Sequence, residues 1–408
     1  MLERVREFIL EYIEEVRATL AGNVGVMALS WFLFALSGAL VQPFFSIYAK
    51  ELGASDFELA FIRTLGMLSL GLSLIPGGLI TDYIGRVKTI MIGTVGITIV
   101  QFLYAIARDW REFAVIWVLD SALHFYQPAL SAIVMDSLPR GRTFKGFVFL
   151  NIVPSIPWLF MPIVGGTLYE NLGIIGIRIG FVFSGIISLV VLILRMKGFR
   201  ETFTKQDKDF SKLIFELSGY RPILLKALRY YIFTAVLWQL SMSVLNTYGA
   251  IYAVEVLGIS KPQWGVVNSI STLASITGSL LIFKRAVSEV RNSTILFSTL
   301  ASTAVAILSI PFFFRMEALL VILLGNVIIS ISNNIISAAV SSQLTSILPQ
   351  QIRGRAISIQ RIMENVGAAA SSLIAGYLYV NLLPGYALLT CSMIGIFSTV
   401  YLMKILKY

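Results

Sequence analysis

The sequence is poor in the side chains that most protein chemistry uses. Its 408 residues include one cysteine, Cys391, and one histidine, His124, and only 13% are charged. A single cysteine excludes a disulfide framework, and these two residues are too few for a cysteine and histidine zinc site. The sequence also lacks a phosphate loop of the GxxxxGK[ST] type, a paired-histidine metal motif and a nucleophile elbow. We therefore expect neither an enzyme nor a metal or other cofactor.

Apolar residues, in contrast, make up 57% of the chain and give it a mean hydropathy of +0.83. This composition is typical of an integral membrane protein. When the chain is divided wherever charges, prolines or glycines interrupt the apolar runs, twelve segments are long enough to cross a bilayer as helices. We number them spans 1 to 12, and they cover 24–49, 57–78, 89–107, 113–135, 146–168, 177–195, 226–253, 263–283, 292–313, 317–347, 356–380 and 386–403.

The basic residues predict how these spans are oriented. With an even number of spans, both termini lie on one side, and that side carries 25 of the 32 lysines and arginines. The other side carries six, and Arg63 lies inside span 2. Because basic loops stay in the cytoplasm, we expect both termini there, in a protein of the cell membrane. Anionic lipid then accounts for the formal charge of +10, and no nucleic-acid partner is needed.

The longest hydrophilic stretch divides the spans into two sets of six. We expect an amphipathic cytoplasmic helix at 1–22, a six-helix bundle at 23–195, a cytoplasmic linker at 196–225 and a second bundle at 226–408. Short internal repeats support this division. The repeated pairs are IYAKELGAS at 47–55 with IYAVEVLGIS at 251–260, PIVGGTLYENL at 162–172 with SLIAGYLYVNL at 372–382, and SLP at 137–139 with ILP at 347–349.

A charged stretch between spans 2 and 3, GGLITDYIGRVKTI, carries a resemblance to a known family. Its residues Gly78, Asp82, Gly85, Arg86 and Lys88 resemble the signature of the major facilitator superfamily at the same place, although Tyr83 and Val87 depart from it. The resemblance implies an all-α integral membrane protein of twelve helices in two parallel six-helix repeats, with both termini cytoplasmic. Helices 1, 4, 7 and 10 would line a central cavity. Helices 3, 6, 9 and 12, which we find free of buried charge apart from residues at their ends, would be peripheral.

The same stretch is predicted to be a cytoplasmic gate. Gly78 would allow two helices to approach closely, and Asp82 would lie at the start of span 11. Arg86 would reach Asp136 at the cytoplasmic end of span 4. We expect these contacts only while the cytoplasmic side is closed, and the family resemblance implies that they stabilise the outward-facing state. The alternative is an ordinary tight, positively charged turn.

Span 4 holds the strongest candidates for proton coupling, because ionisable groups inside spans are costly. Asp120 and His124 lie four residues apart on one helix face. The window resembles the fourth-helix motif of proton-coupled members, with His124 at the arginine position and Gln127 matching. Histidine gains and loses a proton near neutral pH, so the pair could carry a coupling proton. Alternatively, both are polar residues satisfied within the bundle, with Asp120 paired to His124 or Arg63.

Span 11 adds Arg361 and Glu364, which are spaced to pair on one helix face. We expect Glu364 to act with the proton-coupling pair, whereas Arg361 could simply reach the lipid headgroups. Substrate contacts are expected from polar and aromatic side chains of the cavity, each of which could instead be ordinary packing. These residues are Trp31, Gln42, Arg63, Gln127, Trp238, Gln239, Asn246, Asn333 and Asn334.

In span 5, FMPIVGG resembles the end of a motif associated with drug and proton antiporters. Pro162, Gly165 and Gly166 predict a kinked helix with a close-packing patch. A kink without an antiporter role is the alternative.

These patterns favour a monomeric secondary transporter that moves a small organic molecule by alternating access, with proton-coupled efflux preferred. Its partners would be the substrate, protons and membrane lipid. Two alternatives stay open: gradient-driven uptake of a sugar, amino acid or organic anion, and a transport-inactive sensor or lipid-handling protein on the same scaffold.

Overall fold

The protein is described by a computed structural model of residues 22–138, 150, 152–202, 221–288, 290–314, 316–347 and 350–405. Side chains at 221–226, 279–280, 282–288, 290, 345–346 and 350–358 also lie outside the described part. Three predictions therefore fall wholly or largely beyond it: the amphipathic helix at 1–22, most of the linker at 196–225, and the repeated SLP and ILP motifs.

All regular elements of the described residues are helical, as predicted. In the first half they are Gly22–Val41, Gln42–Phe44, Phe45–Glu51, Asp56–Ile84, Arg86–Ile106, Trp110–Leu123, His124–Tyr126, Gln127–Ser137, Val153–Ser155, Pro157–Leu159, Met161–Leu172 and Ile174–Gly198. In the second half they are Arg221–Ile232, Phe233–Leu237, Trp238–Ile251, Tyr252–Val256, Lys261–Ser288, Val290–Ile307, Ile310–Phe314, Ala318–Ile347, Gln350–Asn381 and Pro384–Ile405.

Within the described residues, seven helices are long and apolar enough to cross a membrane, and they correspond to spans 1, 2, 3, 6, 9, 10 and 12. In the other five predicted spans, nearly all of the described residues are also helical. Several of these are interrupted, because a proline at the start of a helical turn lacks the N–H that would continue the preceding helix. Pro128 begins a new helix in span 4, and Pro162 does so in span 5. The count of twelve and the orientation stay predictions.

The helix ends that position the cavity are defined by short capping motifs. Span 2 begins with a capping box, in which the Ser55 hydroxyl accepts from the N–H of Glu58 and the Glu58 carboxylate accepts from the N–H of Ser55. Asp109 caps the start of span 4 by accepting from the N–H groups of Arg111 and Glu112. Gly85 separates spans 2 and 3 with a φ of 97°, which glycine adopts without strain.

The internal repeat is visible as equivalent contacts in the two halves. The Tyr48 hydroxyl donates to the carbonyl oxygen of Tyr104 at 2.9 Å, and the Tyr252 hydroxyl donates to that of Leu308 at 2.8 Å. The two members of each pair are 56 residues apart in both halves. The second half has one more residue after its tyrosine, and a π-helical turn at Tyr252–Val256 accommodates it.

The packing of the halves differs between the two ends of the bundle. We call the end near Gly22 and Ile405 the terminal end, and the end near Glu51 and Glu255 the opposite end. One hydrophobic core joins both halves and includes Tyr48, Tyr169, Tyr248 and Tyr379. Nearer the terminal end each half has its own core, with Val24 to Phe199 in the first half and Ala227 to Ile405 in the second. The molecule is thus closed at its opposite end.

Candidate functional site

Polar contacts close the opposite end between the two halves. The Lys50 ammonium lies 2.8 Å from Asp56 within its own half and 3.0 Å from Glu255 of the other half. The Ser46 hydroxyl donates to the carbonyl oxygen of Thr247 at 2.9 Å. The Trp264 indole N–H donates to the carbonyl oxygen of Pro43 at 3.0 Å. We did not predict this closure, although Lys50 and Glu255 both lie in the repeated segments.

Glycines of the repeated segments at 162–172 and 372–382 let the halves approach closely at this end. A Cβ atom at Gly166 would lie 2.4 Å from the carbonyl oxygen of Lys261, and one at Gly376 would lie 2.6 Å from the Cβ of Ala60. Gly165 instead packs within the first half, where a Cβ would lie 2.0 Å from the carbonyl oxygen of Leu40. The close-packing patch in span 5 is therefore present, and Gly166 lies at the boundary between the halves.

Below this closure, adjoining cavities of about 500, 580 and 470 Å³ occupy the space between the bundles and within each bundle. Arg361 lines all three cavities, and Gln127, Gln239, Asn246 and Glu364 each line two. We treat them as one site with a central part of 500 Å³, a first-half part of 580 Å³ and a second-half part of 470 Å³. Their combined size is suitable for a small organic molecule.

Asp120 and His124 both line the first-half part. One Asp120 oxygen accepts a hydrogen bond from the Tyr104 hydroxyl at 3.1 Å, and Oδ1 is buried without a hydrogen-bond partner. The His124 Nδ1 lies 2.7 Å from the backbone carbonyl oxygen of Asp120 and 3.8 Å from its Oδ1. Because a carbonyl oxygen only accepts, Nδ1 must carry a proton, and Nε2 is left for the cavity. The two ionisable groups are thus adjacent and reachable.

Arg63 lines the central part but does not pair with Asp120. Its Nη2 donates to the Ser46 hydroxyl at 3.2 Å, and its guanidinium lies 4.9 Å from the centre of the Phe45 ring. Its Nε is buried without a hydrogen-bond partner. The alternative that Asp120 serves as the partner of Arg63 therefore has no support among the described contacts.

Glu364 also lines the cavity, in its central and second-half parts. Its Oε1 accepts from the Gln360 side chain at 2.8 Å. The expected pairing with Arg361 is absent from the described contacts. Gln360, four residues before Glu364, occupies that place, since residues four apart are neighbours on a helix.

Of the remaining predicted cavity residues, one is misplaced. Trp31 and Gln42 line the first-half part, and Trp238 and Asn333 line the second-half part, which also includes Gln239 and Asn246. Asn334 is exposed and donates to the Ser275 hydroxyl of span 8. Neighbouring residues on a helix point about 100° apart, so Asn334 faces span 8 while Asn333 faces the cavity.

Sequence reasoning missed Arg195, which we had placed at the end of span 6. It is fully buried, lines the first-half part of the cavity, and has no described ion pair. Its guanidinium donates to the hydroxyls of Ser30 at 3.3 Å and Thr94 at 2.7 Å. These hydroxyls are eight residues from their helix starts, about 12 Å from the terminal end. We had set Arg195 aside as a residue at the end of span 6, and its charge is in fact buried.

The predicted gate is only partly as expected. Arg86 forms an ion pair with Asp136, and its Nη1 donates to the Thr202 hydroxyl at 2.8 Å. This pair lies within the first half and is present although the opposite end is closed. The expectation that it forms only when the cytoplasmic side is shut is therefore wrong, because it does not connect the two halves.

The glycines and the remaining charges of this stretch also differ from expectation. A Cβ at Gly78 would meet no atom of the described residues within 4 Å, whereas one at Gly77 would lie 1.9 Å from the carbonyl oxygen of Phe125. The close approach thus belongs to Gly77. Gly85 faces Glu201, whose carboxylate accepts from the N–H groups at the start of span 3. Asp82 and Lys88 are exposed. The contact between Asp82 and the start of span 11 involves side chains outside the described residues.

Comparison with known proteins gives this geometry a context. The family model described as Major Facilitator Superfamily matches residues 27–372. The Quinolone resistance protein NorA of Staphylococcus aureus (strain MSSA476) is 20% identical over 88% of this chain and 90% of its own length. An uncharacterized MFS-type transporter of Methanocaldococcus jannaschii, MJ1560, is 22% identical over 46% of this chain and 48% of its own.

Solved structures share the fold at low identity. A crystal structure of the peptide transporter POT in complex with sulfate is 17% identical, with a TM-score of 0.73 over 94% of both chains. A D-xylose-proton symporter is 15% identical, with a TM-score of 0.73 over 96% of this chain and 98% of its own.

Proposed function

Since this chain belongs to the major facilitator superfamily, we propose that it exports a small organic molecule from the cell in exchange for protons. The chain is a multi-pass membrane transporter rather than an enzyme. Efflux and proton exchange are the parts that we add. The similarity to a protein named for quinolone resistance supports efflux.

The observation that carries proton exchange is the placement of Asp120 and His124 in one wall of the cavity. Asp120 Oδ1 has no hydrogen-bond donor, so it can accept a proton without breaking an existing contact. His124 keeps Nδ1 on a backbone carbonyl and exposes Nε2, so it can take a proton from the cavity and place a positive charge beside Asp120. We propose that these two residues carry the coupling proton and that Glu364 assists them from the second half.

Alternating access follows from the unequal packing of the two ends. The latch formed by Lys50, Asp56 and Glu255 and the glycine contacts at Gly166 and Gly376 connect the halves at the opposite end. A rocking motion that opens this end must break those contacts. Gly78 and Asp82 would then gain partners as the terminal end closes, whereas Arg86 and Asp136 would keep their bond and hold the first half rigid.

The remaining sequence predictions complete this proposal. Twelve spans, with both termini in the cytoplasm, would make the present arrangement inward-facing. The domains would be the helix at 1–22, bundles at 23–195 and 226–408, and the linker at 196–225. The transporter would act as a monomer in contact with anionic lipid. Uptake and a transport-inactive sensor or lipid-handling role remain the competing functions.

The test uses the full-length protein in liposomes that contain a pH-sensitive dye. A proton gradient is imposed, and a panel of lipophilic cations, aromatic acids, sugars and amino acids is added. We expect at least one compound to drive proton release, and we expect Asp120→Asn and His124→Gln to abolish it. Flux without proton movement would reject proton coupling, and absence of any flux would favour the inactive scaffold.

A matched control is available at the start of the same span. Glu112 lies outside the cavity, and hydrogen bonds from the Arg108 side chain and backbone lower its pKa, which keeps it ionised at neutral pH. Glu112→Gln therefore removes a carboxylate in the first turn of the helix Trp110–Leu123, just before span 4, that does not exchange protons in the assay range. It should leave proton release unchanged, and a loss equal to that of Asp120→Asn would remove the case for Asp120.

A further inference from the structure

The charges that line the cavity are unequal in sign. Three guanidinium groups, those of Arg63, Arg195 and Arg361, face two carboxylates, those of Asp120 and Glu364. None of the three arginines has an ion pair among the described residues. Both carboxylates, in contrast, already accept hydrogen bonds, Asp120 from Tyr104 and Glu364 from Gln360. With three arginines and two carboxylates, these groups give the cavity a formal excess of one positive charge.

Arg63 is the cation best placed to receive a ligand. It lies in the central part of the cavity, in the wall that the first half contributes, opposite Asn246 and Glu364 of the second half. Its only described hydrogen bond goes to a neutral hydroxyl, that of Ser46, and its Nε is buried with no acceptor. An unpaired guanidinium inside a span is costly, and such a residue is usually retained because a ligand or pathway needs it.

Arg195 is less suited to this role. Two hydroxyls and the faces of Phe34 and Tyr126, at 5.1 and 5.8 Å, surround its guanidinium. Its side chain has no exposed surface. Arg361 is exposed in the cavity and lines all three parts, so it can approach the same ligand from the second half.

Aromatic side chains stand beside Arg63. Phe45 lies against its guanidinium and also 4.6 Å, ring centre to ring centre, from Trp117. Both rings line the first-half part, together with Trp31. An apolar or aromatic body would pack there while an anionic group stays in the central part. Amide groups of Gln127, Gln239 and Asn246 add neutral hydrogen-bonding groups around that anion.

We propose that the cavity binds an amphipathic organic acid, whose carboxylate is held by Arg63, assisted by Arg361, and whose apolar body lies against Phe45 and Trp117. This inference rests on the proposed function only in taking the cavity as the substrate site. It specifies the substrate class, which the family does not. Arg63 presents a planar set of donors that matches the two oxygens of a carboxylate.

The experiment compares two fluorescent probes that differ only in charge. Dansylglycine carries a carboxylate, and dansylglycinamide carries a neutral amide of the same size. Binding to the detergent-solubilised full-length protein is measured by energy transfer from tryptophan to the dansyl group, since Trp31, Trp117 and Trp238 line the site. We expect the wild type to bind the acid about tenfold more tightly than the amide, as for hydrogen bonds to a charged group.

Variants assign the preference to Arg63. Arg63→Gln should remove the tenfold preference and leave the affinity for the amide unchanged, and Arg63→Lys should retain part of it. Arg361→Gln, at an exposed position that tolerates substitution, should reduce the preference and provides a second test if Arg63→Gln fails to fold. Arg111→Gln, an exposed cation outside the cavity, is the matched control and should leave both affinities unchanged.

Two results would overturn the proposal. One is that the wild type binds the acid no more tightly than the amide, or binds the cationic probe dansylcadaverine more tightly than the acid. This result would count against the proposal whether or not the protein transports any of the probes. The other is a preference for the acid that survives both Arg63→Gln and Arg361→Gln. Binding is measured without a proton gradient, so failure of proton-coupled efflux in liposomes would not contradict a measured preference for the acid. Conversely, a cationic substrate that drives proton release would contradict the acid preference and would leave proton-coupled transport supported.

Discussion

The two halves of the chain share their scaffold but differ in the charges they bring to the cavity. Tyr48 and Tyr252 make the same hydroxyl contact, and Gly53 and Gly258 follow them with φ values of 93° and 72°. Gly166 and Gly376 each pack against the other half. These equivalent residues all lie at the closed end of the molecule, where the halves meet.

The cavity shows the opposite pattern. The first half contributes Arg63, Asp120, His124 and Arg195, whereas charges of the second half come from span 11, as Arg361 and Glu364. Rocking two bundles against each other requires similar contact surfaces on both. Binding a proton and an anion requires charged groups in only one place. Under the proposed function, motion would be shared between the halves and chemistry would be concentrated in the first.

The largest expected effect tests this concentration of chemistry. Asp120→Asn should lower substrate-driven proton flux at least about 100-fold, whereas Glu364→Gln should lower it at most about tenfold. Glu364 already has a neutral partner in Gln360, and glutamine can take its place in that hydrogen bond. Initial rates in liposomes with a pH-sensitive dye, normalised to reconstituted protein, measure both. Equal losses would mean that the halves share the coupling.

The next effect tests the equivalence of the closed end. Alanine at Gly166 or Gly376 forces the halves apart at the opposite end. We therefore expect each variant to raise the rate at which a reagent reaches the cavity from that end about tenfold. The readout is labelling of Asn246→Cys by an impermeant maleimide, in a Cys391→Ser background.

Gly78→Ala is the matched control for the two glycine variants. Its methyl group enters open space in the present arrangement and should obstruct closure of the terminal end. It should therefore not increase labelling. An effect from only one of Gly166 and Gly376 would show that the halves do not contribute equally to closure.

A smaller effect tests the tyrosine anchors. Tyr48→Phe and Tyr252→Phe each remove one buried hydrogen bond, so each should lower the free energy of unfolding by about 1 kcal/mol. Unfolding in mixed detergent micelles measures both values, with Tyr83→Phe, whose side chain is 80% exposed, as the control. A clear difference between the two anchors would argue against equivalent scaffolds.

The smallest effect concerns the ion pair between Lys50 and Glu255. Because both side chains are partly exposed, a double-mutant cycle of Lys50→Met and Glu255→Gln should give a coupling of about 0.5 to 1 kcal/mol to closure of the opposite end. Raised salt should weaken it. The pair between Lys261 and Glu51, at 3.7 Å, should couple less. Additive single variants would mean that the latch does not contribute to closure.

The sequence was sufficient for the helical class and most of the cavity, because apolar runs and inward polar residues follow directly from helix geometry. The family was indicated by the resemblance of the charged stretch between spans 2 and 3, and the family model confirms it. It could not resolve choices between neighbouring residues. Gly77 rather than Gly78 is the site of close approach, and Asn333 rather than Asn334 faces the cavity. A shift of one residue along a helix rotates the side chain by about 100°. Which of two neighbouring residues faces inward depends on packing that the sequence does not reveal.

Contacts between distant segments were also beyond the sequence. Arg195 looked like a residue at the end of a helix, yet its side chain points back along the helix and is buried against Ser30 and Thr94. Glu364 had two neighbours at suitable spacing, and the structure selects Gln360 over Arg361. The closed end depends on the arrangement of the two halves, which no local pattern specifies.

The π-helical turn at Tyr252–Val256 allows this segment to be one residue longer without shifting the contacts on either side of it. The wider turn absorbs one residue, so Tyr252 keeps its anchor and Gly258 keeps its place in the following loop. A gene encoding two similar halves can therefore gain a codon in one of them without losing the match between them. Such tolerance of an insertion allows duplicated halves to diverge in sequence while the surfaces through which they contact each other stay complementary.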